Sequence, residues 1–380
     1  MNTKKLHVLF LCGWYPSKVL PTNGDFIQRH AEAVNQLHKV TVIHIISDKN
    51  CTSKTLFSLQ EINGVDTHIA YIKPSTNPLT KGLRFYKAFK HLLKNTPSFD
   101  IVHLHQLFPF GVFALYLKWF QKKKFIISEH WTGYFQPQVQ KLSKLQVWFS
   151  KLICKKADRI CPVSIELQNS MQKIGFNGQY TIVPNVVDTQ LFKPVTIKSK
   201  QFTILHISNM VDEHKNVSGI INVIAQLLEH TTDFTLVLIG DHSKKYKTLA
   251  DELGVSKYIN FIDHIPHEDI VSHIQKSDVY ISFSNYETWG IVMIEALACG
   301  VPVISTDTGI INELQLTDFC EIIPKKDEKA LLTKLLTIQK SNFDSIEMHN
   351  FVKHNFSKEV IAEKFSEIYD KTIILSKTKS

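Results

Sequence analysis

Short apolar, β-branched runs alternate along the whole chain with longer stretches in which apolar residues recur every three or four positions. In the first half, Leu6–Cys12, Val40–Ile46, Thr67–Ile72, Ile101–Leu104, Phe125–Ser128, Arg159–Val163 and Thr181–Val183 read as strands. Phe26–Leu37, Leu83–Asn95, Gly111–Phe120, Leu142–Ala157 and Ile165–Ile174 read as the helices between them. The pattern then restarts. Strands are expected at Phe202–Ile207, Thr235–Ile239, Ile259–Phe261, Val279–Ser282 and Val303–Ser305. Helices are expected at Val217–Glu229, Tyr246–Leu253, Ile291–Ala298 and Glu328–Gln339. Near-continuous apolar strands alternating with helices mean a parallel sheet covered on both faces. The expected fold is therefore α/β, with two Rossmann-like domains facing each other across a cleft.

The first domain is expected over residues 1–190 and the second over 195–355, with Asp188–Ser199 and its Pro194 as the linker. The last helical stretch, Lys358–Leu375 within residues 356–380, has no strand after it and is expected to return to the first domain. In open α/β sheets, ligands bind beyond the carboxyl ends of the strands. The loops after each strand are therefore where chemistry is expected.

Composition narrows the class. The 380 residues suit two domains, and 44% hydrophobic with 21% charged residues is an ordinary globular balance. None of the six cysteines forms a CxxC pair, and most sit in apolar runs, so they read as reduced thiols in a cytoplasmic protein. Lys4 and Lys5 before Leu6–Cys12 resemble the start of a signal peptide. The run is short, however, holds His7, and leads into Gly13-Trp14-Tyr15-Pro16 without a small-residue cleavage site. No stretch reaches the ~18 apolar residues of a membrane span.

Charge adds a partner class. The net +9 divides unevenly: residues 1–190 hold 24 Lys and Arg against 10 Asp and Glu, while the remainder holds 20 against 25. A basic half suits an anionic partner, or else is a solvated face. Residues 139–156, VQKLSKLQVWFSKLICKK, combine helical apolar spacing with five lysines, the pattern of a helix lying in a membrane interface. Peripheral contact with the anionic inner face of the cytoplasmic membrane is the expectation. No nucleic-acid-binding module is recognisable, and nucleic acid is not expected as a partner.

The most informative stretch runs from Ser282 to Val303. A strand ends near Ser282, a polar loop carries Glu287, and a helix opens around Trp289–Gly290 and stops near Gly300. The loop and first helical amides suit a diphosphate. Glu295 lies in an otherwise apolar helix, where a carboxylate needs donors. Neighbouring ribose hydroxyls would supply them. A helix-cap role for Glu287 and a buried basic partner for Glu295 are the structural alternatives.

This stretch resembles the hallmark of glycosyltransferase family 4, the retaining GT-B-fold enzymes: S-x-x-E-x-[FW]-G-x-x-x-x-E-A-x-A-x-G-x-P-V. Ser284, Glu287, Trp289, Gly290, Glu295, Ala296, Ala298, Gly300, Pro302 and Val303 match it. The likeness covers nearly the whole chain. Ile182–Asp188 resembles the family's P-N-G-V-D junction with Val186 for glycine, and Thr308–Glu313 its G-G-x-x-E element with Thr308 for the first glycine. The resemblance implies a GT-B fold. It also implies transfer of a hexosyl or N-acetylhexosaminyl group from a nucleotide-sugar, taken as a UDP-sugar, to a lipid-linked glycan in bacterial surface-polysaccharide synthesis.

The resemblance also implies the site. Glu295 would hold the ribose. Thr288, Trp289, Gly290, Ile291 and Lys215 would hold the diphosphate, and Asn209 stands where the family has an arginine. Glu287 would meet the donor sugar, as would His130 in Ser128-Glu-His-Trp-Thr-Gly133; His103 and His105 line the same region in the family. Gly24 matches the glycine of the first loop, and Arg29 is placed to meet an anionic acceptor. No metal and no cofactor are expected, the nucleotide-sugar being a substrate. Two alternatives stand: a small anionic acceptor such as malate, suggested by Ile207-Ser208-Asn209, and a catalytically silent partner subunit.

Overall fold

The computed structural model describes residues 5–195, 201–241, 243–314 and 318–377. The chain divides into two compact units: Met1–Val186 with Lys358–Ser380, and Val187–Ser357.

The first unit is built on one seven-stranded sheet. Its strands are β1 His7–Cys12, β2 Lys39–Ser47, β3 Thr55–Ile62, β4 Val65–Ile72, β5 Ile101–His105, β6 Lys124–Glu129 and β7 Arg159–Pro162. Their order is β3-β4-β2-β1-β5-β6-β7, and every pair is parallel except β3 with β4. The central strand β1 is buried at all positions but its first, as a strand covered on both faces requires. Chain direction through the sheet reverses about β1, which pairs β2 on one side and β5 on the other. Cys12, His105 and Ser128 stand in register at the carboxyl ends. Helix Lys358–Lys377 packs against helix Asp25–Leu37, burying Ile361, Ala362, Phe365 and Tyr369 in the same core as Phe10, Tyr15 and Val34.

The second unit repeats the plan with β8 Phe202–Ile207, β9 Phe234–Ile239, β10 Ile259–Ile262, β11 Val279–Ser282, β12 Val303–Thr306 and β13 Cys320–Ile323. All are parallel in the order β10-β9-β8-β11-β12-β13. The switch point lies between β8 and β11, so the loops after Ile207 and Ser282 leave from adjacent strands.

Several elements differ from expectation. Thr181–Val183 is not a strand: it hangs on β7 by a bridge at Ile160 and two amide bonds, and Pro184 brings no amide to continue the ladder. β3 is not anticipated by the pattern, because none of its residues is fully buried and it holds no strong apolar run. Its turn, Asn63-Gly64 with φ of 49° and 77°, has the Asn-Gly signature of a tight hairpin. Helix Pro78–Lys94 begins earlier than its apolar pattern because Asn77 caps two amides and Pro78 fits the first turn. Edge strand β13 and helices Ile270–Lys276 and Ser345–Phe356 are also additions to the expected elements; Asp344 caps the last of these. Of the expected linker, residues 196–199 lie outside the described residues, and 188–195 hold turns and coil.

Two histidines of these cores give a pH signature. His44 in β2 faces the Cys12 carbonyl at 2.9 Å, and His206 in β8 faces the Ile281 carbonyl at 2.8 Å. Burial pushes both from 6.5 down to about 4, against those hydrogen bonds; Lys215 further lowers His206 while Glu287 raises it. The unfolded chain thus takes up protons near pH 6.5 that the folded chain refuses until about pH 4. Stability is full above about pH 6.5 and declines as pH falls through that window. Urea unfolding at pH 7.5, 6 and 5 should show a falling midpoint, less steep in His206→Gln; an unchanged midpoint would contradict the assignment.

Candidate active site

In the second unit, the loop after β11 and the loop after β8 meet through charge. Lys215 Nζ donates to Glu287 Oε1 at 2.5 Å, and Ser284 Oγ donates to the same oxygen at 2.8 Å. Both ionic side chains are largely covered, at 20% and 12% exposed. Backbone bonds reinforce the meeting: the Asn285 amide donates to the His214 carbonyl, and the Asn285 side chain to the Glu213 carbonyl. Lys215 reaches this position from the one-turn helix Asp212–Lys215, whose start is held by Asp212 accepting from Ser218 and by Tyr246 donating to Met210 O.

Helix Ile291–Ala298 opens directly after Glu287. Gly290 supplies its start at φ 84°, a left-handed conformation that favours glycine. The first amides of a helix have no carbonyl upstream to bond, and they carry its positive end. Trp289 is buried and packs edge-on to Phe356 at 5.3 Å, while Thr288 and Ile291 are partly exposed. Glu295, fully buried one turn on, accepts from His267 Nε2 at 2.7 Å. Asn209 is exposed, and its Oδ1 accepts from the Val211 amide at 3.3 Å, so it shapes the loop that leads to Lys215.

The first unit holds a second concentration of polar groups. Glu129, at the end of β6, is completely buried, and its carboxylate accepts from the amides of Leu107, His130 and Trp131. Burial raises its pKa while these amides lower it. One carboxylate thereby ties the loop after β5 to the loop after β6 and sets His130 in place. His130 stands with His30 and His105; ring centres are 5.4 Å apart for His30–His130 and 6.1 Å for His105–His130. His103 is fully satisfied between Tyr369 Oη at 2.7 Å and Ser128 Oγ at 2.8 Å. Gly24, at φ 79°, comes so close to the backbone of Trp14 and Tyr15 that a Cβ would lie 2.8 Å from it. Arg29 is 8% exposed and pairs with Asp25 one turn away at 3.1 Å, which places it inside the unit.

Solved structures share this fold along the whole chain. Sucrose-phosphate synthase from Thermosynechococcus elongatus superposes with a TM-score of 0.76 at 18% identity, covering 98% of this chain and 100% of that one. Anabaena HepE in complex with UDP-glucose gives 0.75 at 15% identity, covering 96% and 100%. The two sheets are thus the two halves of a GT-B fold. The family model described as Glycosyltransferase Family 4 matches residues 26–191, and that described as Glycosyl transferases group 1 matches residues 187–357. The chain belongs to this family of GT-B glycosyltransferases.

Named relatives are more distant in sequence. The chain is 23% identical to a phosphatidylinositol N-acetylglucosaminyltransferase subunit of Arabidopsis thaliana over 222 residues, 56% of this chain and 49% of that protein. It is 23% identical to alpha-monoglucosyldiacylglycerol synthase of Acholeplasma laidlawii over 254 residues, 59% and 63%. N-acetyl-alpha-D-glucosaminyl L-malate synthase of Bacillus anthracis is 25% identical over 235 residues, 57% and 59%. The chain thus spans between about half and just under two thirds of these relatives' own length.

The structure adds residues that sequence reasoning did not name. His267 was missed because it lies in a loop 28 positions before Glu295. Glu129 was visible beside His130, but only the fold shows it binding two loops. The two departures from the family's glycines are also resolved: neither Val186 nor Thr308 is among the residues with positive φ, so neither position demands glycine. Val186 fills the first core, and Thr308 Oγ1 lies 3.2 Å from Thr306 Oγ1, which itself donates to Ser284 O.

Gly309 does need its glycine. It sits at φ 61°, and a Cβ there would lie 2.7 Å from the Trp289 carbonyl and 3.1 Å from Glu287 Cβ. Gly254 has similar φ, 71°, with open space around it. Gly254→Ala should therefore cost only the left-handed strain, about 1–2 kcal/mol. Gly309→Ala should cost more, since it also displaces the Glu287 loop. Equal losses in urea unfolding would show that the loop yields without resistance.

Proposed function

We propose that the chain is a retaining glycosyltransferase that moves a hexosyl or N-acetylhexosaminyl group from a UDP-sugar to a lipid-linked glycan in bacterial surface-polysaccharide assembly. The observation that carries this reading is the Lys215–Glu287 pair beside the Gly290-opened helix: cation, helix amides and carboxylate acceptor stand together at a sheet switch point. These are the parts a nucleotide-sugar requires. Amides of the Thr288–Ile291 turn and Lys215 take the diphosphate, with Asn209 offering its amide. Lys215 has three protons, so it can hold Glu287 and phosphate together. Glu287 then accepts from sugar hydroxyls, and Glu295 from the ribose as His267 gives way. The first unit takes the acceptor; Gly24 lets backbone approach the ligand, and His130 hydrogen-bonds the sugar.

Charge growing on the departing diphosphate is met by Lys215 and the amides. The departing phosphate takes the acceptor proton, so no protein base, metal or cofactor is assigned to transfer. A UDP donor is supported by Anabaena HepE, which was solved with UDP and with UDP-glucose. A lipid acceptor is supported by relatives named for phosphatidylinositol and diacylglycerol. It is supported also by the surface of the first unit. Residues 73–156 carry 15 Lys and Arg against two acids, Asp100 and the buried Glu129. Among these charges Leu79, Phe120, Leu145 and Trp148 are 84, 73, 64 and 58% exposed. Apolar side chains set among lysines suit the anionic inner face of the cytoplasmic membrane, on which the protein would sit peripherally. Among the described residues no helix is long and apolar enough to cross a membrane. A second reading, a small anionic acceptor, is favoured by the Bacillus anthracis malate synthase relative.

Stabilisation in a thermal-shift panel of UDP, GDP and ADP is expected from UDP and should be lost in Glu295→Ala; no shift with any nucleotide would favour a catalytically silent role. Lys215→Ala and Glu287→Ala should each lower turnover about 10²-fold or more, the scale of one lost electrostatic stabiliser. Near-normal turnover would remove those roles. Mass spectrometry with lipid-linked glycan or malate as acceptor separates the two acceptor readings.

Co-sedimentation with phosphatidylglycerol vesicles should be strong at low salt and weakened by high salt. It should also be weakened in a Phe120→Ser/Trp148→Ser double variant. Equal binding to phosphatidylcholine vesicles, or none to either, would remove the membrane assignment.

A further inference from the structure

We infer that the first unit carries an anion site of its own at the edge of its sheet, where Arg159 and Lys364 share one cavity. Its ligand is a phosphate group, borne by a soluble ester or by a lipid headgroup. The cavity measures about 360 Å³. Arg159, which opens β7, lines it together with residues 181–183 and with Lys364, Glu367 and Lys371 of helix Lys358–Lys377. All of these belong to the one compact unit.

Charge carries the inference. Three cations stand in this lining against one carboxylate, leaving two positive charges. That carboxylate is already engaged: Glu367 accepts from Lys371 Nζ at 3.2 Å. Asp158, beside Arg159 in the chain, is held by Lys118 at 2.9 Å and Lys124 at 3.3 Å. Arg159 and Lys364 keep their donors, since neither makes a hydrogen bond or ion pair with another described residue. Lys364 is half-buried; burial lowers its pKa, and no carboxylate raises it. An ammonium withdrawn from water without a partner is costly, and an anion in the cavity removes that cost.

The sheet edge adds a neutral donor. The Thr181 amide donates to the Ile160 carbonyl at 2.9 Å and the Val183 amide to the Pro162 carbonyl at 3.1 Å, so both point at β7. Ile182 lies between them and also lines the cavity. In an extended segment its amide points the opposite way, off the edge, and no described residue accepts from it. A guanidinium fork, an ammonium and a backbone amide make a donor set suited to phosphate. Two net positive charges also match the roughly 1.5–2 negative charges of a phosphate monoester at pH 7, where a carboxylate brings one.

The test reads binding, not turnover, and so stands apart from the transfer reading. The full chain is dialysed against ³²P-labelled inorganic phosphate at fixed ionic strength. One equivalent should bind saturably, unchanged by added UDP and by Lys215→Ala, which separates this site from the proposed diphosphate site. Arg159→Gln and Lys364→Gln should each weaken binding at least tenfold. Lys353→Gln, the same charge change at an exposed helix position of the second unit, should not. Acetylation mapped by mass spectrometry needs no variant to fold: phosphate should slow labelling of wild-type Lys364 at least threefold and leave Lys353 unaffected. No saturable binding, binding lost with UDP or in Lys215→Ala, undiminished binding in folded Arg159 and Lys364 variants, or an unprotected Lys364 would each overturn the site. The carrier is read separately. Weaker co-sedimentation of the two variants with phosphatidylglycerol vesicles upholds the site for a lipid headgroup. Unaltered co-sedimentation, with glycerol 3-phosphate displacing the label, upholds it for a soluble ester.

Discussion

A parallel strand cannot be joined to its neighbour by a tight turn; the chain must leave at the carboxyl end and travel back through a helix. The parallel second sheet obeys this constraint, as does the first except where antiparallel β3 carries the chain back between β2 and β4, and the placement of polar residues follows from it. The strands themselves are apolar and buried, so polar side chains collect just beyond them. Where strand order reverses, two adjacent strands lead onward in opposite directions across the sheet. In the first unit that point puts Gly13 beside His105, whose carbonyl accepts the Gly13 amide at 3.0 Å. In the second it puts Ser208 and Asn209 opposite the loop that carries Glu287.

Polar groups gathered in this way are partly buried, and each must be satisfied or cost about 1–3 kcal/mol. The chain solves this differently in its two units. Glu129 is saturated by three backbone amides and serves as an internal brace. Glu287 is held by Lys215 and Ser284, side chains that can exchange one partner for another. A carboxylate bonded by amides is fixed with the backbone, whereas one bonded by side chains can change partner by rotation about their χ angles. The contrast between Glu129 and Glu287 is thus one of partner type, backbone against side chain.

Much of this was legible in the sequence. Strands Phe202–Ile207 and Val279–Ser282 and helices Ile165–Ile174 and Ile291–Ala298 lie where apolar periodicity puts them. Periodicity works there because those residues are buried by their own sheets. It failed where burial is incomplete, as in β3, and where an element is only a turn or two long, as in helix Ile270–Lys276. Residue type and spacing exposed Glu287 and Glu295 as unusual. They could not show which side chains meet them, because Lys215 lies 72 positions from Glu287 and His267 reaches Glu295 from another strand's loop. Long-range pairing is a property of sheet order, and a single sequence does not contain that order in any local window.

Departures from a family pattern, likewise, need not signal lost function. A glycine is favoured where φ is positive, above all where neighbouring atoms also crowd its α-carbon; elsewhere a larger residue serves. Gly290 and Gly309 meet that condition and are present; positions 186 and 308 do not meet it and carry larger residues. Asn209 departs from the family differently, because it replaces a charge. Its carbonyl oxygen is occupied by the Val211 amide, so what it keeps is the shape of the loop that delivers Lys215. If a diphosphate binds there as proposed, one cation in that loop instead of two leaves more of its charge to the helix amides, whose first turn Gly290 opens.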